Sequence, residues 1–396
     1  MTSAPGRLWR GLAALLTCAL LQGPALALDA QDDPESALQS IIGDIRANHL
    51  DVALRKTDAL LETYPNFRLA HLIRGDLLMA RVRPLDSVGS VPGVSSATLN
   101  DLRDEALARL RARSERPRTG YLPSNLLRLS QDQTHAVVVD TDRSRLYVFR
   151  NDKGQPQLVA DYYASQGKAG ADKWREGDKR TPVGVYFVTS SIPAAELPAF
   201  YGSGAFPINY PNEWDRRLGR DGYGIWLHGT PPDTYARPPR ASDGCVVLAN
   251  QDLDALSGYV TPGQTPVVIG GSIEWLAPDR WLREQKQLES RIEAWRRDWE
   301  SRDMKRYLSH YATDFRSDDQ SRAQWDTQRR RLNASKSWVR IRLTDLSMFR
   351  SPGKEDLVVV NFEQQYESNN LNSTIRKRQY WVRRHGQWKI AYEGQA

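Results

Sequence analysis

The spacing of apolar residues changes twice along the chain and divides it into three regions. Between about residues 33 and 124, apolar positions such as Leu38, Ile41 and Ile45 recur three or four residues apart, which predicts helices. Over about residues 134–271 the period becomes two, in runs rich in β-branched and aromatic residues. This pattern predicts a domain built mainly of strands.

The third region follows the stretch SIEWLAPDRW, which we interpret as a linker. Two helical patterns, LREQKQLESRIEAWRRDWESRD and SRAQWDTQRRRLN, come first, and four strand-like segments follow them. Helices followed by a meander of long strands indicate an α+β layer fold. The sequence therefore predicts a multidomain α and β protein: a helical domain at 33–124, a β-rich domain at 131–272 and an α+β domain at 280–396.

The N-terminus has the pattern of a cleavable export signal. Arg7 and Arg10 precede a short apolar run, and an A-x-A motif at residues 25–27 offers a cleavage site. The apolar run is too short for a comfortable membrane span. Residues 1–27 are therefore predicted to be a signal peptide, and the mature chain to be exported to a periplasm of the Gram-negative type.

Composition narrows the classes of partner. Hydrophobic residues make up 40% of the 396 positions and charged residues 26%, as in soluble globular proteins. The net charge of +7 is compatible with an anionic membrane surface, with an acidic polymer such as the cell wall or with a merely solvated basic surface. No nucleic-acid-binding motif accompanies it. The six histidines are scattered without metal-ligand spacing. We therefore predict no nucleic-acid partner, no metal and no cofactor.

The use of cysteine singles out one residue. The chain has two cysteines, Cys18 inside the predicted signal and Cys245. After cleavage near Ala27, Cys245 is alone in an oxidising compartment, where it cannot form an internal disulfide. A free cysteine is often a buried, inert thiol, so the neighbouring residues must decide whether this one is reactive.

Cys245 lies in a stretch that also supplies a base. In GIWLHGTPPDTYARPPRASDGCVVL, His228 ends an apolar strand, and Gly244 and Cys245 open the next apolar run. An imidazole beside a thiol can take its proton, and the thiolate is the attacking species. Gly244 permits a sharp turn that can aim backbone amides at a developing oxyanion. The pattern predicts a cysteine nucleophile with a histidine base.

At these residues the sequence resembles the L,D-transpeptidase (YkuD) family, over about residues 133–271. The resemblance rests on His-Gly, a spacer and Gly-Cys, together with Thr181, Pro182 and Gly184 at the start of a strand. It implies a β-rich catalytic domain that attacks the tetrapeptide stem of peptidoglycan. Members of the family release the terminal D-alanine and pass the resulting thioester to an amine or to water.

The resemblance also implies a role for each residue of the motif. Cys245 is the nucleophile, and His228 is the proton donor and acceptor, oriented by the carbonyl of Gly229. The amides of Asp243 and Gly244, with that of Cys245, are the oxyanion donors. No cofactor is implied.

Two positions depart from the family pattern. Asp243 stands where the family has a second histidine, and Val247 where it has an arginine. A carboxylate beside a thiol raises the thiol pKa unless it points away or meets a cation, and the candidate cations are Arg237, Arg240 and His228. The departures affect the acceptor step and the recognition of a substrate carboxylate.

The order of the regions adds a second resemblance. The stretch ALLETYPNFRLAHLIRGDLLMA is similar to one tetratricopeptide helical pair. The tail resembles an NTF2-like cone, in which a curved sheet folds around helices and makes a pocket. The three regions in this order resemble the cell-shape-determining L,D-carboxypeptidases of helical bacteria, which trim tetrapeptide stems to tripeptides.

These observations leave three hypotheses for function. The first is an L,D-transpeptidase that transfers the acyl group from Cys245 to an amine. The second is an L,D-carboxypeptidase with water as acceptor and a role in cell shape, and the third is a non-catalytic wall-binding protein. The predicted partners are peptidoglycan stem peptides, an unknown ligand in the C-terminal pocket and a second copy of the chain bound through the N-terminal helices.

Overall fold

The computed structural model describes residues 33–85, 87–89 and 95–396, and the first of its three regions is helical. The predicted signal peptide, with Cys18, lies outside the described residues. The helices of this region are Pro34–Arg46 (α1), Leu50–Thr63 (α2), Arg68–Ala80 (α3) and Ser96–Ser114 (α4). Helix α1 begins at Pro34 because the Asp33 carboxylate accepts hydrogen bonds from the amides of Glu35 and Ser36.

The apolar faces of these helices form one cluster. It includes Leu38, Ile41, Leu54 and Leu69, and Tyr235 of the following region packs against it. The helical spacing read from the sequence therefore corresponds to a buried face. None of the described helices is both long and apolar enough to cross a bilayer.

The second region is built on two sheets. One has five strands in the order β5-β4-β3-β13-β7, and the other has four in the order β12-β10-β9-β8. Its elements are Leu122–Pro123 (β1), Leu126–Arg128 (β2), His135–Asp140 (β3), Arg145–Asp152 (β4), Gln155–Tyr163 (β5), Gln166–Gly167 (β6), Gly184–Phe187 (β7), Ile192–Pro193 (β8), Gly204–Pro207 (β9), Glu213–Arg217 (α5), Trp226–His228 (β10), Arg240–Ser242 (β11), Val246–Val247 (β12), Asn250–Ser257 (α6), Pro266–Gly270 (β13) and Trp275–Leu276 (β14).

The third region wraps a long sheet around helices. The sheet has the strand order β15-β19-β18-β17-β16-β2, and a core containing Trp295, Phe362 and Trp381 lies between it and the helices. The elements are Pro278–Glu300 (α7), Met304–Ser309 (α8), Tyr311–Arg316 (β15), Arg322–Ala334 (α9), Val339–Arg350 (β16), Leu357–Ser368 (β17), Leu371–Arg384 (β18) and Gln387–Gln395 (β19). The predicted fold class, helical then β-rich then α+β, is confirmed.

Strands β3, β7 and β13 of the five-stranded sheet are buried on both faces. In β3, Ala136 and Val138 face the sheet of the third region, whereas Val137 and Val139 face the four-stranded sheet. This explains the uninterrupted apolar run HAVVV, because a strand covered on both sides need not alternate. The same sheet thereby joins the third region to the part of the second that carries the catalytic motif.

The segments on either side of the second region differ from the sequence prediction. Trp275 and Leu276, within the predicted linker, form β14, which pairs with β1. Strand β2 joins the sheet of the third region by pairing with β16. The apolar residues of these segments are buried, Leu126 and Leu276 among them, so they belong to the packed fold rather than to a linker.

Candidate active site

His228 and Cys245 are brought together by two neighbouring parallel strands. Strands β10 and β12 pair Leu227 with Val246, which places Cys245, one residue earlier, beside Trp226. Leu227 and Val246 are fully buried in the core. Because side chains alternate along a strand, Trp226 and His228 project from the opposite face, on the same side as Cys245.

The His228 imidazole is held as a neutral base. Its Nδ1 lies 2.7 Å from the carbonyl oxygen of Gly229. A carbonyl can only accept, so Nδ1 carries the proton and the Nε2 lone pair is left free in the neutral ring. Burial lowers the His228 pKa to about 4. The hydrogen bond to Gly229 acts to raise this pKa, and the nearby Arg237 charge acts to lower it.

The turn after His228 is fixed by Asn250, which the sequence analysis did not single out. Its Oδ1 accepts hydrogen bonds from the amides of Ser203 and Thr230, both at 3.0 Å, and its Nδ2 donates to the Thr230 carbonyl at 2.9 Å. A Cβ on Gly229 would lie 2.1 Å from this Oδ1, so the approach requires glycine. Asn250 at the first position of α6 gave no local signal of this role.

The Cys245 thiol is half-buried and protonated at rest. Its Sγ donates to the Gly224 carbonyl at 3.4 Å. Burial raises the Cys245 pKa above its ordinary value, and the Asp243 carboxylate adds to that rise. The Trp226 backbone amide and the Arg237 charge favour the thiolate and therefore act against this rise in the pKa. The site therefore pairs a neutral thiol with a neutral base.

The turn before Cys245 is held by hydrogen bonds around Gly244. Gly244 has φ +132°, in the region that favours glycine, and a Cβ there would lie 2.8 Å from the Arg180 carbonyl. The Gly244 amide donates to Ser242 Oγ at 3.1 Å, and that hydroxyl donates to the Cys245 carbonyl at 2.6 Å. The Gly244 amide is thus bonded within the turn, and its role as an oxyanion donor stays a prediction.

Thr181 connects the Thr-Pro-x-Gly pattern to the turn before Cys245. Its buried hydroxyl accepts from the Gly167 amide and donates to the Gly244 carbonyl, both at 2.9 Å. The Thr-Pro-x-Gly pattern at 181–184 thus has a defined place in the site. It anchors the carbonyl side of the turn that presents Cys245.

Asp243 meets a cation that the sequence analysis did not propose. Its exposed carboxylate lies 3.2 Å from Lys168 Nζ. The candidates had been Arg237, Arg240 and His228, but the partner comes from a segment about 75 residues earlier in the chain. Choice among surface cations depends on tertiary placement, which the local sequence does not encode.

Aromatic side chains border the pair. The Tyr201 ring centroid lies 5.0 Å from that of His228 and 4.8 Å from that of Trp226. Phe200 lies 6.0 Å from His228, and half of its side chain is exposed. Tyr223, in the loop before β10, is also exposed. The Phe200 and Tyr201 rings form an open apolar border beside His228.

The loop between His228 and Cys245 packs against the helical region. Asn66 Nδ2 donates to the Pro232 carbonyl at 3.0 Å, and the Asn66 carbonyl accepts from the Tyr235 amide at 3.4 Å. The Tyr235 ring lies 4.4 Å from the Phe67 ring and 5.2 Å from that of Tyr64. The turn between α2 and α3 is therefore part of the surroundings of the site.

The third region holds a separate pocket, inside its curved sheet. The pocket is lined by Trp299, Tyr307, Arg329, Tyr366 and Lys377, among others. Lys377 is bonded to the buried Glu393 at 2.6 Å. The cavity is lined by aromatic and basic groups and shares no lining residue with the thiol site.

Two stretches of the chain match family models. Residues 134–269 match the L,D-transpeptidase catalytic domain model, YkuD, and residues 287–394 match the Cds6 C-terminal NTF2-like domain model. No curated protein gave a match. The two stretches cover the second and third regions of the fold.

Two solved structures are similar to about two thirds of the chain. Bd1075 from Bdellovibrio bacteriovorus is 28% identical with a TM-score of 0.63, over 70% of this chain and 98% of that one. The helical cell shape determining protein Pgp2 from Campylobacter jejuni is 25% identical with a TM-score of 0.58, over 68% of this chain and 95% of that one. The similarity therefore spans nearly the whole of both relatives.

Proposed function

Because the chain carries a YkuD L,D-transpeptidase catalytic domain followed by an NTF2-like domain, we propose that it cleaves peptidoglycan stem peptides through a thioester on Cys245. The observation that carries this proposal is the neutral His228, whose Nδ1 is fixed by Gly229 and whose Nε2 is left to accept a proton on the Cys245 side of the sheet. A pure binding protein has no need of such a base beside a half-buried thiol.

Acylation uses these two side chains. Rotation about the Cβ–Sγ bond turns the thiol proton from Gly224 towards His228 Nε2, which takes it, and the thiolate attacks the carbonyl at the L-centre before the terminal D-alanine. The C–N bond breaks, and the proton on Nε2 passes to the leaving amine. D-alanine and a thioester on Cys245 result.

Oxyanion stabilisation falls to the remaining amides of the nucleophile turn. Since the Gly244 amide is bonded to Ser242, we assign this role to the amides of Cys245 and Asp243. Hydrogen-bond donors that are already oriented before the reaction typically contribute a few kcal/mol to transition-state stabilisation.

Water is the acceptor that we propose for the second step. His228, neutral again after acylation, takes a proton from water as it attacks the thioester, the C–S bond breaks, and the thiolate recovers a proton. The three-part architecture supports this choice, since it resembles cell-shape-determining L,D-carboxypeptidases and Pgp2 is described as a helical cell shape determining protein. The enzyme would act in the periplasm after removal of residues 1–27.

The test is product analysis with a disaccharide-tetrapeptide by mass spectrometry. The mature protein is expected to give disaccharide-tripeptide and free D-alanine, and Cys245→Ala none. His228→Gln should lower the rate by about 10²–10⁴-fold, the usual contribution of an acid–base group. His49→Gln is the matched control, because His49 is exposed and its side chain makes no capping hydrogen bond.

The other hypotheses give different products in the same assay. Cross-linked dimers, or exchange of the terminal residue with added D-amino acids, would assign an amine acceptor. Binding without any conversion of the tetrapeptide would contradict the enzymatic proposal and favour the wall-binding one.

A further inference from the structure

Within the part of the chain that the structure describes, the Arg237 side chain near the thiol forms no ion pair, and the proposed reaction supplies an anion for it. We propose that Arg237 binds the terminal carboxylate of the stem peptide, so that the site accepts peptides whose scissile bond lies one residue from a free C-terminus. This inference rests on the proposed function and adds a recognition residue to it.

Two buried hydroxyl groups hold the backbone of Arg237 in place. Its carbonyl accepts hydrogen bonds from Tyr163 Oη and Ser165 Oγ, both at 2.9 Å, and both donors are buried. Pro238 and Pro239 follow, and their rings restrict the backbone further. Because its backbone is restrained in this way, Arg237 starts its side chain from a defined position.

The side chain points along the border of the site. The guanidinium carbon lies 4.5 Å from the centroid of the Phe200 ring, which is itself 6.0 Å from the His228 ring. Its positive charge is close enough to lower the pKa of both His228 and Cys245. A guanidinium that contacts an aromatic ring can still offer its N–H donors to a planar carboxylate.

The other cations near the thiol are already engaged. Lys173, which also acts on Cys245, bonds Asp178 at 2.8 Å, and Lys168 bonds Asp243 at 3.2 Å. In contrast, no carboxylate among the described residues lies within 4.0 Å of the Arg237 guanidinium. Val247 is buried and apolar, so it cannot serve an anion.

The chemistry of the substrate places an anion close to this group. In the proposed reaction the scissile nitrogen belongs to D-alanine, whose carboxylate is separated from that nitrogen by the α-carbon alone. A cation beside both Cys245 and His228 therefore lies within reach of that carboxylate when the carbonyl is at the thiol. A charge-assisted, two-pronged contact would select a C-terminal residue over an internal one.

The test compares two substrates in one enzyme. Disaccharide-tetrapeptide with a free terminal carboxylate and the same molecule ending in a carboxamide are assayed for release of the terminal residue by wild type and by Arg237→Gln. The variant is expected to lose about 10- to 100-fold in kcat/KM on the free acid, the range for one hydrogen bond to a charged group. On the carboxamide the loss in kcat/KM should be much smaller, because only the effect of the Arg237 charge on the pKa values of His228 and Cys245 is removed there. The ratio of the two substrates is independent of how much of the variant is folded.

The control is Arg240→Gln, since Arg240 lies three residues further on, at the start of β11, and is exposed. It should keep the wild-type ratio. Equal losses on both substrates in Arg237→Gln, or no loss on the free acid, would overturn the carboxylate role while leaving the proposed function intact. Failure of the wild type on both substrates would instead contradict the proposed function.

Discussion

The two regions that flank the catalytic domain meet it in different ways. The C-terminal region shares an apolar core and a sheet edge with it, through residues such as Phe349, Val359 and Tyr380. The helical region meets it at the loop between His228 and Cys245 and through polar contacts such as the Glu35–Arg145 ion pair. The difference suggests that one region maintains the fold whereas the other maintains the geometry of the site.

The C-terminal contact has the character of a domain interior. Tyr380 is almost fully buried and stacks on Trp214 with ring centroids 5.4 Å apart. Its hydroxyl donates to Glu213 Oε2 at 2.8 Å, and Arg378 pairs with the same carboxylate at 3.2 Å. The two parts are therefore expected to unfold together.

The helical contact instead leads towards the active site. Arg109 of α4 bonds Glu105, and its guanidinium carbon lies 4.0 Å from the centre of the Tyr163 ring. Tyr163 in turn donates to the carbonyl of Arg237. A change in the helices can therefore reach the loop through one buried ring.

The largest expected effect is on stability, from Tyr380→Ala. Removal of a buried aromatic side chain typically costs 3–5 kcal/mol, so we expect about 4 kcal/mol loss in the free energy of unfolding, measured in urea. Tyr380→Phe keeps the stacking on Trp214 and loses the bond to Glu213, and about 1 kcal/mol is expected for it. A loss below 1 kcal/mol in the alanine variant would show that the interface is not part of the core.

The next largest effect is expected from Arg109→Met. It leaves the carboxylates of Glu35 and Glu105 without their buried cation, which typically costs about 3 kcal/mol. Burial already raises the Glu105 pKa, so the folded variant holds a proton on Glu105 more tightly than the unfolded chain does. The free energy of unfolding of the variant therefore falls as the pH rises above the ordinary pKa of a glutamate side chain. Urea unfolding should show a smaller loss at pH 5 than at pH 7.5, and an equal loss at both would contradict this account.

A smaller effect, on activity rather than stability, is expected from Asn66→Ala. It removes the bond to Pro232 at the exposed edge of the loop, so kcat/KM should drop about fivefold, the equivalent of one hydrogen bond. If the helices act through Arg237, the same change in an Arg237→Gln background should have little further effect. If the effects of the two changes on kcat/KM were fully additive, the helices would not act on the site through Arg237.

The smallest expected effect is that of mild acid on the rate. Because the His228 pKa is held near 4, the imidazole stays neutral at pH 5, and kcat/KM should change little between pH 7 and 5 before falling near pH 4. The unfolded chain takes up this proton near pH 6.5, so His228 lowers folding stability as pH falls from 6.5 towards 4. An activity profile with its inflection near 6.5 would mean that the base is not the buried His228.

The sequence predicted those parts of the molecule that depend on local pattern. Helical spacing and period-two runs gave the fold class, and one short stretch contained both His228 and Cys245. The roles of Asn250, Lys168 and Asn66 were not predictable, because each acts on a partner that is distant in the chain or chosen among several similar side chains. The bonded Gly244 amide was missed because a competing hydroxyl, that of Ser242, lies inside the turn itself.

The central claim is that Cys245 carries the acyl group. The most direct measurement is the mass of the intact protein, acid-quenched during turnover of disaccharide-tetrapeptide, followed by peptide mapping. We predict an adduct equal to the substrate less D-alanine, located on the peptide that contains Cys245 and absent from Cys245→Ala. Tripeptide formation by the Cys245→Ala variant, or an adduct on another residue, would contradict the account.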